Sequence, residues 1–248
     1  MNVVFLGATR GMGRALARQM AERGDGLFLL GRAADELERS ARDLDARGAA
    51  GPVGTARCDL EVPEGFGAAL DAAVDAFAGA GGLGVVVVTA GVFATQDALE
   101  DDPALLERML RVNFANTVLF CEAARARLLE AGGGTLCVFS SVAGERGRRT
   151  VVLYGASKAG LSRYLEGLDH RYRGRGLRVV TVKPGFVRTD MTEGLDAPPF
   201  AGEPGPVAAR VLRAIDRGAP VVYAPAPWAA VMAVIRRLPR AVMRRVRF

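Results

Sequence analysis

Seven short apolar runs punctuate the chain, at residues 2–6, 27–30, 53–57, 84–89, 135–139, 178–183 and 220–223. Most are built from Val, Leu and Phe without polar alternation, which is how strands covered on both faces read. Between them lie amphipathic stretches of helical period, at 11–23, 34–47, 64–78, 102–130, 155–174 and 205–217. Gly, Asp and Pro mark the joins. This alternation predicts an α/β fold: a doubly wound, seven-stranded parallel sheet with helices on both faces. Such sheets bind ligands beyond the carboxyl ends of their strands, so functional residues are expected just after each apolar run. No linker, repeat or low-complexity stretch interrupts the pattern. Residues 1–225 read as a single unit, and 226–248 as a basic amphipathic C-terminal segment of the same domain.

Hydropathy excludes a membrane span, since no apolar run reaches the ~18 residues one needs. The best candidate, Ala219 to Ile235, is broken by Pro220, Pro225 and Pro227. Met1 leads straight into the strand-like NVVFLG, without a basic n-region, so no secretion signal is expected. The three cysteines, Cys58, Cys121 and Cys137, fit no zinc or redox spacing and read as buried thiols in a reducing cytoplasm. A single histidine, His170, rules out multi-histidine metal sites and reads as a surface residue, so no metal is expected. Of 33 basic residues, six arginines (236, 237, 240, 244, 245 and 247) fall between Trp228 and Phe248, where there is no acid. The remaining 27 basic residues match 27 acidic ones, so the body is neutral and nucleic acid is not an expected partner.

The chemistry starts after the first strand, with GATRGMG at 7–13. Gly7, Gly11 and Gly13 sit where a strand turns sharply into a helix. Without Cβ atoms, such a turn lets backbone approach a pyrophosphate at the positive helix N-terminus. The second strand ends in Gly31 and Arg32, where an NAD-preferring site usually carries an acid for the ribose 2′-hydroxyl. Arg10 lies inside the glycine turn. Two cations suit a 2′-phosphate, so NADP(H) is expected over NAD(H). Asp59, after the third strand, reads equally as an acceptor for an adenine amino group or as a helix N-cap.

GATRGMG at 7–13, CDL at 58–60, TAG at 89–91, VN at 112–113, SS at 140–141, YGASK at 154–158 and PGFVRT at 184–189 occur in order along nearly the whole chain. In this the sequence resembles the short-chain dehydrogenase/reductase family. Two positions depart from the family pattern: Leu6 replaces Thr before the first glycine, and Val88-Thr89-Ala90-Gly91 replaces Asn-Asn-Ala-Gly. The resemblance implies a Rossmann-type fold and four site residues. Tyr154 is the proton donor, Lys158 tunes it and binds the nicotinamide ribose, Ser141 polarises the substrate carbonyl, and Asn113 holds a proton-relaying water. On a helix, residues four apart share a face, so Tyr154 and Lys158 reach one place. A nearby ammonium is expected to lower a phenol pKa of ~10. The small residues Gly155, Ala156 and Ser157 are expected to let the helix pack beside the cofactor. Thr9, Met12, Leu60, Ala90, Gly91 and Val187 join the cofactor set, Pro184 and Gly185 wall the nicotinamide, and Thr189 binds its carboxamide or the phosphates.

The substrate is less determined, because one scaffold serves many. Arg146, Arg148 and Arg149 lie in the connection between Ser141 and Tyr154, where they either meet an anion such as a phosphate or are simply solvated. Residues 188–203 read as a mobile lid. The basic tail fits an anionic membrane surface, or else packs on its own body or at a dimer interface. The tail, ERGRR at 145–149 and VVLYGASKAGL at 151–161 together resemble the branch of the family that includes the reductase of decaprenylphosphoryl 2-keto-pentose. The expectation is an NADPH-dependent reductase of a small-molecule or lipid-linked carbonyl, cytoplasmic or resting at the membrane's inner face, and a homo-oligomer. The alternative is an NADP(H)-sensing binding protein without catalysis.

Overall fold

Seven strands form one parallel sheet in the order β3-β2-β1-β4-β5-β6-β7 of a computed structural model that describes residues 1–245. Arg247, one of the six tail arginines, lies outside the described residues. In chain order the elements are β1 (Asn2–Leu6), α1 (Gly11–Glu22), β2 (Gly26–Gly31), α2 (Ala34–Ala46), β3 (Gly54–Arg57), α3 (Phe66–Phe77), β4 (Val85–Val88), α4 (Gln96–Asp101), α5 (Pro103–Leu110), α6 (Thr117–Glu130), β5 (Gly134–Phe139), α7 (Val152–Tyr172), β6 (Leu177–Pro184), α8 (Pro204–Arg217), β7 (Val221–Ala224), α9 (Pro227–Ile235) and α10 (Arg240–Met243). The expected fold class holds, and each strand falls within a residue or two of its apolar run.

The period-two alternation of a strand explains why the apolar runs are continuous. In β1, Val3 and Phe5 join a core with α1, α2 and α8, while Val4 and Leu6 join a second core with α3, α6 and α7. Both faces are buried, so Val3 to Leu6 are all apolar. Only the edge strand β3 alternates between partly buried and exposed residues. Chain order reverses between β1 and β4, which opens a crevice at the carboxyl ends of those two strands.

The stretch expected as one helix over 102–130 is divided. Residues 103–110 are α-helical, Arg111–Asn116 form a π-helical turn, and Thr117–Glu130 resume the α-helix. The Thr117 hydroxyl donates to the Val112 carbonyl at 2.7 Å inside the wider turn. The tail is also more than one basic stripe. Trp228, Met232 and Ile235 of α9 are buried with Val142 of the loop after β5, and partly buried Phe186 and Tyr223 pack on them. The Trp228, Met232 and Ile235 side of α9 therefore rests on the protein's own body, while Val234 and Val242 stay exposed. No helix among the described residues is long and apolar enough to cross a membrane.

Candidate active site

The crevice is a cleft of about 610 Å³ lined by the glycine turn, the ends of β2 and β4, and the loop after β6. Gly7 has φ +100°, which disfavours a side chain, and a Cβ on Gly13 would stand 2.1 Å from the Gly7 carbonyl oxygen. The turn thus exists only with glycine at these positions. Thr89, where the family pattern has Asn, donates its hydroxyl to that same Gly7 carbonyl at 2.8 Å and ties β4 to the turn. Thr9, Arg10, Gly11, Met12, Asp59, Leu60, Ala90, Gly91 and Thr189 all line the cleft as expected. Thr189 sits over the turn, its methyl carbon 3.3 Å from where a Gly11 Cβ would be.

Arg10 and Arg32 both reach the cleft, but neither is without an acid. Arg10 ion-pairs with Glu36 of α2, and Arg32 lies 3.6 Å from Glu61, which bonds mainly to Arg108 at 2.7 Å. These acids lie beyond the strand ends, which is why the strand-end reading missed them. Asp59 is not a helix N-cap: its Oδ1 accepts from the Glu61 amide at 3.0 Å in a local turn, and the carboxylate still borders the cleft.

Four polar side chains converge at the inner end. Asn113, 1% exposed, accepts from the Val92 amide at 2.7 Å and donates to the Val92 carbonyl at 2.6 Å. The extra residue of the π turn aims this side chain inward, as such turns often do at functional sites. The Val92 carbonyl takes one of the two N–H donors of this amide, which holds the cleft wall in place. A Cβ on Gly91 would come 3.1 Å from the Asn113 oxygen and 3.7 Å from Lys158 Nζ, so this glycine keeps the wall open beside both. Lys158, 5% exposed, donates to the Phe139 carbonyl at 3.1 Å. Its ammonium lies 5.9 Å from the Tyr154 ring centroid, and Phe93 of the cleft wall packs edge-on against that ring at 5.1 Å.

Ser141 and Ser140 divide the work of the SS pair. Ser140 is buried, donates to the Lys158 carbonyl at 3.0 Å and shares a hydrogen bond with Ser162 at 2.7 Å, so it fastens β5 to α7. Ser141 caps the short turn 142–145 and stays partly exposed beside Tyr154. Burial pushes the Tyr154 phenol up to about 12, with the Ser141 hydroxyl pulling the other way, and burial brings Lys158 down to about 8. The phenol therefore moves up rather than down as expected: burial raises it, and the group that draws it down is the Ser141 hydroxyl rather than the ammonium.

Other expectations are corrected in the same region. Gly155 does not face the cleft; a Cβ there would stand 2.9 Å from the Ala143 carbonyl, so it lets the 142–145 turn pack on α7. Ala156 is exposed, and Ser157 bonds back to the Tyr154 carbonyl. Pro184 and Val187 are buried and Gly185 is backed by Trp228, whose indole nitrogen a Cβ would meet at 2.2 Å. The Trp228 indole donates to the Phe200 carbonyl at 3.1 Å. Gln96 was missed too; its carbonyl accepts from the Leu153 amide at 3.1 Å and fixes the start of α7. Arg188 and Glu203 pair at 2.8 Å and join the two ends of the 188–203 segment. His170 is exposed and all three cysteines are buried, as expected.

Residues 1–199 match the short chain dehydrogenase family. The chain is 37% identical over 249 residues to an uncharacterized oxidoreductase of Streptomyces coelicolor, covering 99% of this chain and 95% of the relative. It is 35% identical over 244 residues to an uncharacterized oxidoreductase of Mycobacterium tuberculosis, covering 98% and 96%. A short-chain dehydrogenase from Sphingobium yanoikuyae, solved in complex with NADPH, superposes with a TM-score of 0.78 at 25% identity, covering 97% of this chain and 98% of that one. A dinucleotide suits the cleft that Gly7 and Gly13 keep open, and the sequence match spans the glycine turn and the Tyr-Lys pair alike; the chain therefore belongs to the short-chain dehydrogenase/reductase family of oxidoreductases.

Proposed function

We propose that the protein is an NADP(H)-dependent ketoreductase. The observation that carries this reading is the meeting of Tyr154, Lys158 and Ser141 at the inner end of a glycine-walled cleft. Gly7, Thr9, Gly11, Met12, Gly13, Asp59, Leu60, Ala90, Gly91 and Thr189 would hold the dinucleotide, with Pro184, Gly185 and Val187 behind its nicotinamide end. Bound there, NADPH supplies a hydride. The Ser141 hydroxyl donates to the substrate carbonyl oxygen, where negative charge develops. Tyr154, protonated throughout the physiological range, gives its proton to that oxygen as the alcohol forms. Lys158, charged below about pH 8, stands behind the phenol and stabilises the phenolate left by the transfer. A proton from solvent then restores the phenol, and Asn113 keeps the wall between them in place.

The preference for NADP(H) is supported by Arg10 and Arg32, whose side chains are 64% and 63% exposed and retain free donors beside one acidic partner each. The NADPH bound to the Sphingobium relative points the same way. For the substrate, the reading is a ketone that bears phosphate, in the narrowest form a lipid-linked keto sugar like that of the decaprenylphosphoryl 2-keto-pentose reductase branch. Arg237, Arg240, Arg244 and Arg245 lie with exposed Val234 and Val242 and favour an anionic membrane surface on the cytoplasmic side. Exposed Leu110, Phe114, Leu119 and Val152 support a homo-oligomer through α5, α6 and α7.

The test is NADPH oxidation by purified protein over a panel of ketones, with Tyr154→Phe in parallel. Turnover that disappears in the variant while NADPH still binds supports the reading. Binding of NADPH with no turnover of any ketone, equal in the two proteins, favours a cofactor-sensing protein instead. Sedimentation with anionic but not neutral liposomes tests the membrane contact, and light scattering tests the oligomer.

A further inference from the structure

The connection from Ser141 to α7 carries Glu145, Arg146, Arg148 and Arg149, and their surroundings differ sharply. Glu145, with a side chain only 6% exposed, ion-pairs with Lys183 and with Arg236 at 3.0 Å. It also accepts from the Tyr223 hydroxyl at 2.9 Å. Arg146 donates to the Leu238 carbonyl at 2.7 Å. The loop is thereby pinned to β6, to β7 and to the C-terminal segment. Arg149 is exposed.

Arg148 fits none of these patterns. Its Nε is sealed from solvent and has no hydrogen-bond partner among the described residues. No carboxylate among the described residues offsets its charge, and burial lowers its pKa from the ordinary guanidinium value. A guanidinium remains charged in proteins, so the chain holds a half-buried cation, its Nε sealed, with no carboxylate partner among the described residues. Folding avoids that arrangement unless something supplies the missing charge. The burial is not that of a loose surface chain either, because the loop is tied down through Glu145 and Arg146. Arg148 stands seven residues after Ser141 and six before Tyr154, on the segment that joins them.

We propose that Arg148 is the anion-binding residue of the substrate pocket, and that the substrate is a ketone carrying a phosphate or carboxylate group. This rests on the ketoreductase reading above and selects among its three loop arginines: Arg146 is committed to the tail, Arg149 to solvent, and Arg148 to the ligand. A guanidinium binds both anions through paired N–H donors, and the low polarity around it strengthens that bond.

The experiment measures anion binding calorimetrically at fixed ionic strength in the presence of excess NADPH, using inorganic phosphate, octyl phosphate and octanoate as probes. Wild type, Arg148→Gln, Arg148→Lys and Arg149→Gln are compared, and each preparation is titrated separately with NADPH. At least one anion is expected to bind the wild type, to bind Arg148→Gln tenfold or more weakly, and to bind Arg149→Gln as the wild type does. Without anion, Arg148→Gln is expected to melt at or above the wild-type temperature, because it drops an uncompensated charge. Octyl phosphate binding tightest supports a lipid-linked phosphate, inorganic phosphate binding as well supports a soluble one, and octanoate binding tightest supports a carboxylate. Equal affinity in wild type and Arg148→Gln, or no anion binding in wild type, overturns the proposal. So does lost binding with a lowered melting temperature that Arg148→Lys does not restore, which would mark a structural role. Failure of the NADPH titration alone would count against the ketoreductase reading and leave the Arg148 comparison to stand on the anions.

Discussion

Tyr154 and Lys158 show how burial sets the chemistry of two residues whose spacing alone gives only proximity. With the phenol near 12, Tyr154 is a proton donor at any working pH, and the titrating member of the pair is Lys158, near 8. The rate of carbonyl reduction, as kcat/KM, is expected to fall as pH rises through about 8. A profile flat from pH 7 to 10 would remove Lys158 from the mechanism. The same shift has a sign in stability. Between about pH 8 and 10.5 the unfolded chain holds a proton on this lysine that the folded chain has released, so stability rises with pH across that window. Below it, the buried ammonium costs on the order of 3 kcal/mol. Lys158→Met should lack this rise, which chemical denaturation at a series of pH values would read as a difference curve. Tyr154→Phe should lower turnover by roughly 10²–10⁴-fold and leave NADPH affinity unchanged.

At the scale of elements, the glycine turn and the π turn do the positioning. Gly13→Ala places a methyl against the Gly7 carbonyl and should abolish NADPH binding, a loss seen directly by titration, together with a fall in melting temperature. Thr117→Val leaves the Val112 carbonyl of the π turn without its hydroxyl donor and should cost about 1–3 kcal/mol. The strands and most helices were legible because burial on two faces leaves a continuous apolar run and a 3.6-residue stripe. The π turn was not, since one extra residue in a turn hardly disturbs periodicity over 102–130; polar Asn113, Asn116 and Thr117 at buried positions were the available signal. Motif order picked out residues that the fold brings to one crevice, yet it did not pick out Phe93, Gln96 and Ser140, whose contacts are with neighbours far away in sequence. The tail was legible as basic and amphipathic, but which of its apolar residues, Trp228, Met232 and Ile235, turn inward emerged only from packing.

For the whole molecule, two cores flank one sheet, and the cleft lies where chain order reverses between them. Leu16, fully buried between α1 and the sheet, should cost about 2–5 kcal/mol as Leu16→Ala, measured by urea denaturation. On the proposed reading, this crevice takes NADP(H) in preference to NAD(H). The most direct test is a fluorescence titration of the purified protein with NADPH and with NADH, with Arg32→Asp alongside. Tighter binding of NADPH, reversed in favour of NADH by the substitution, is the predicted result. Binding of neither nucleotide, or equal binding of both that Arg32→Asp leaves unchanged, would contradict it.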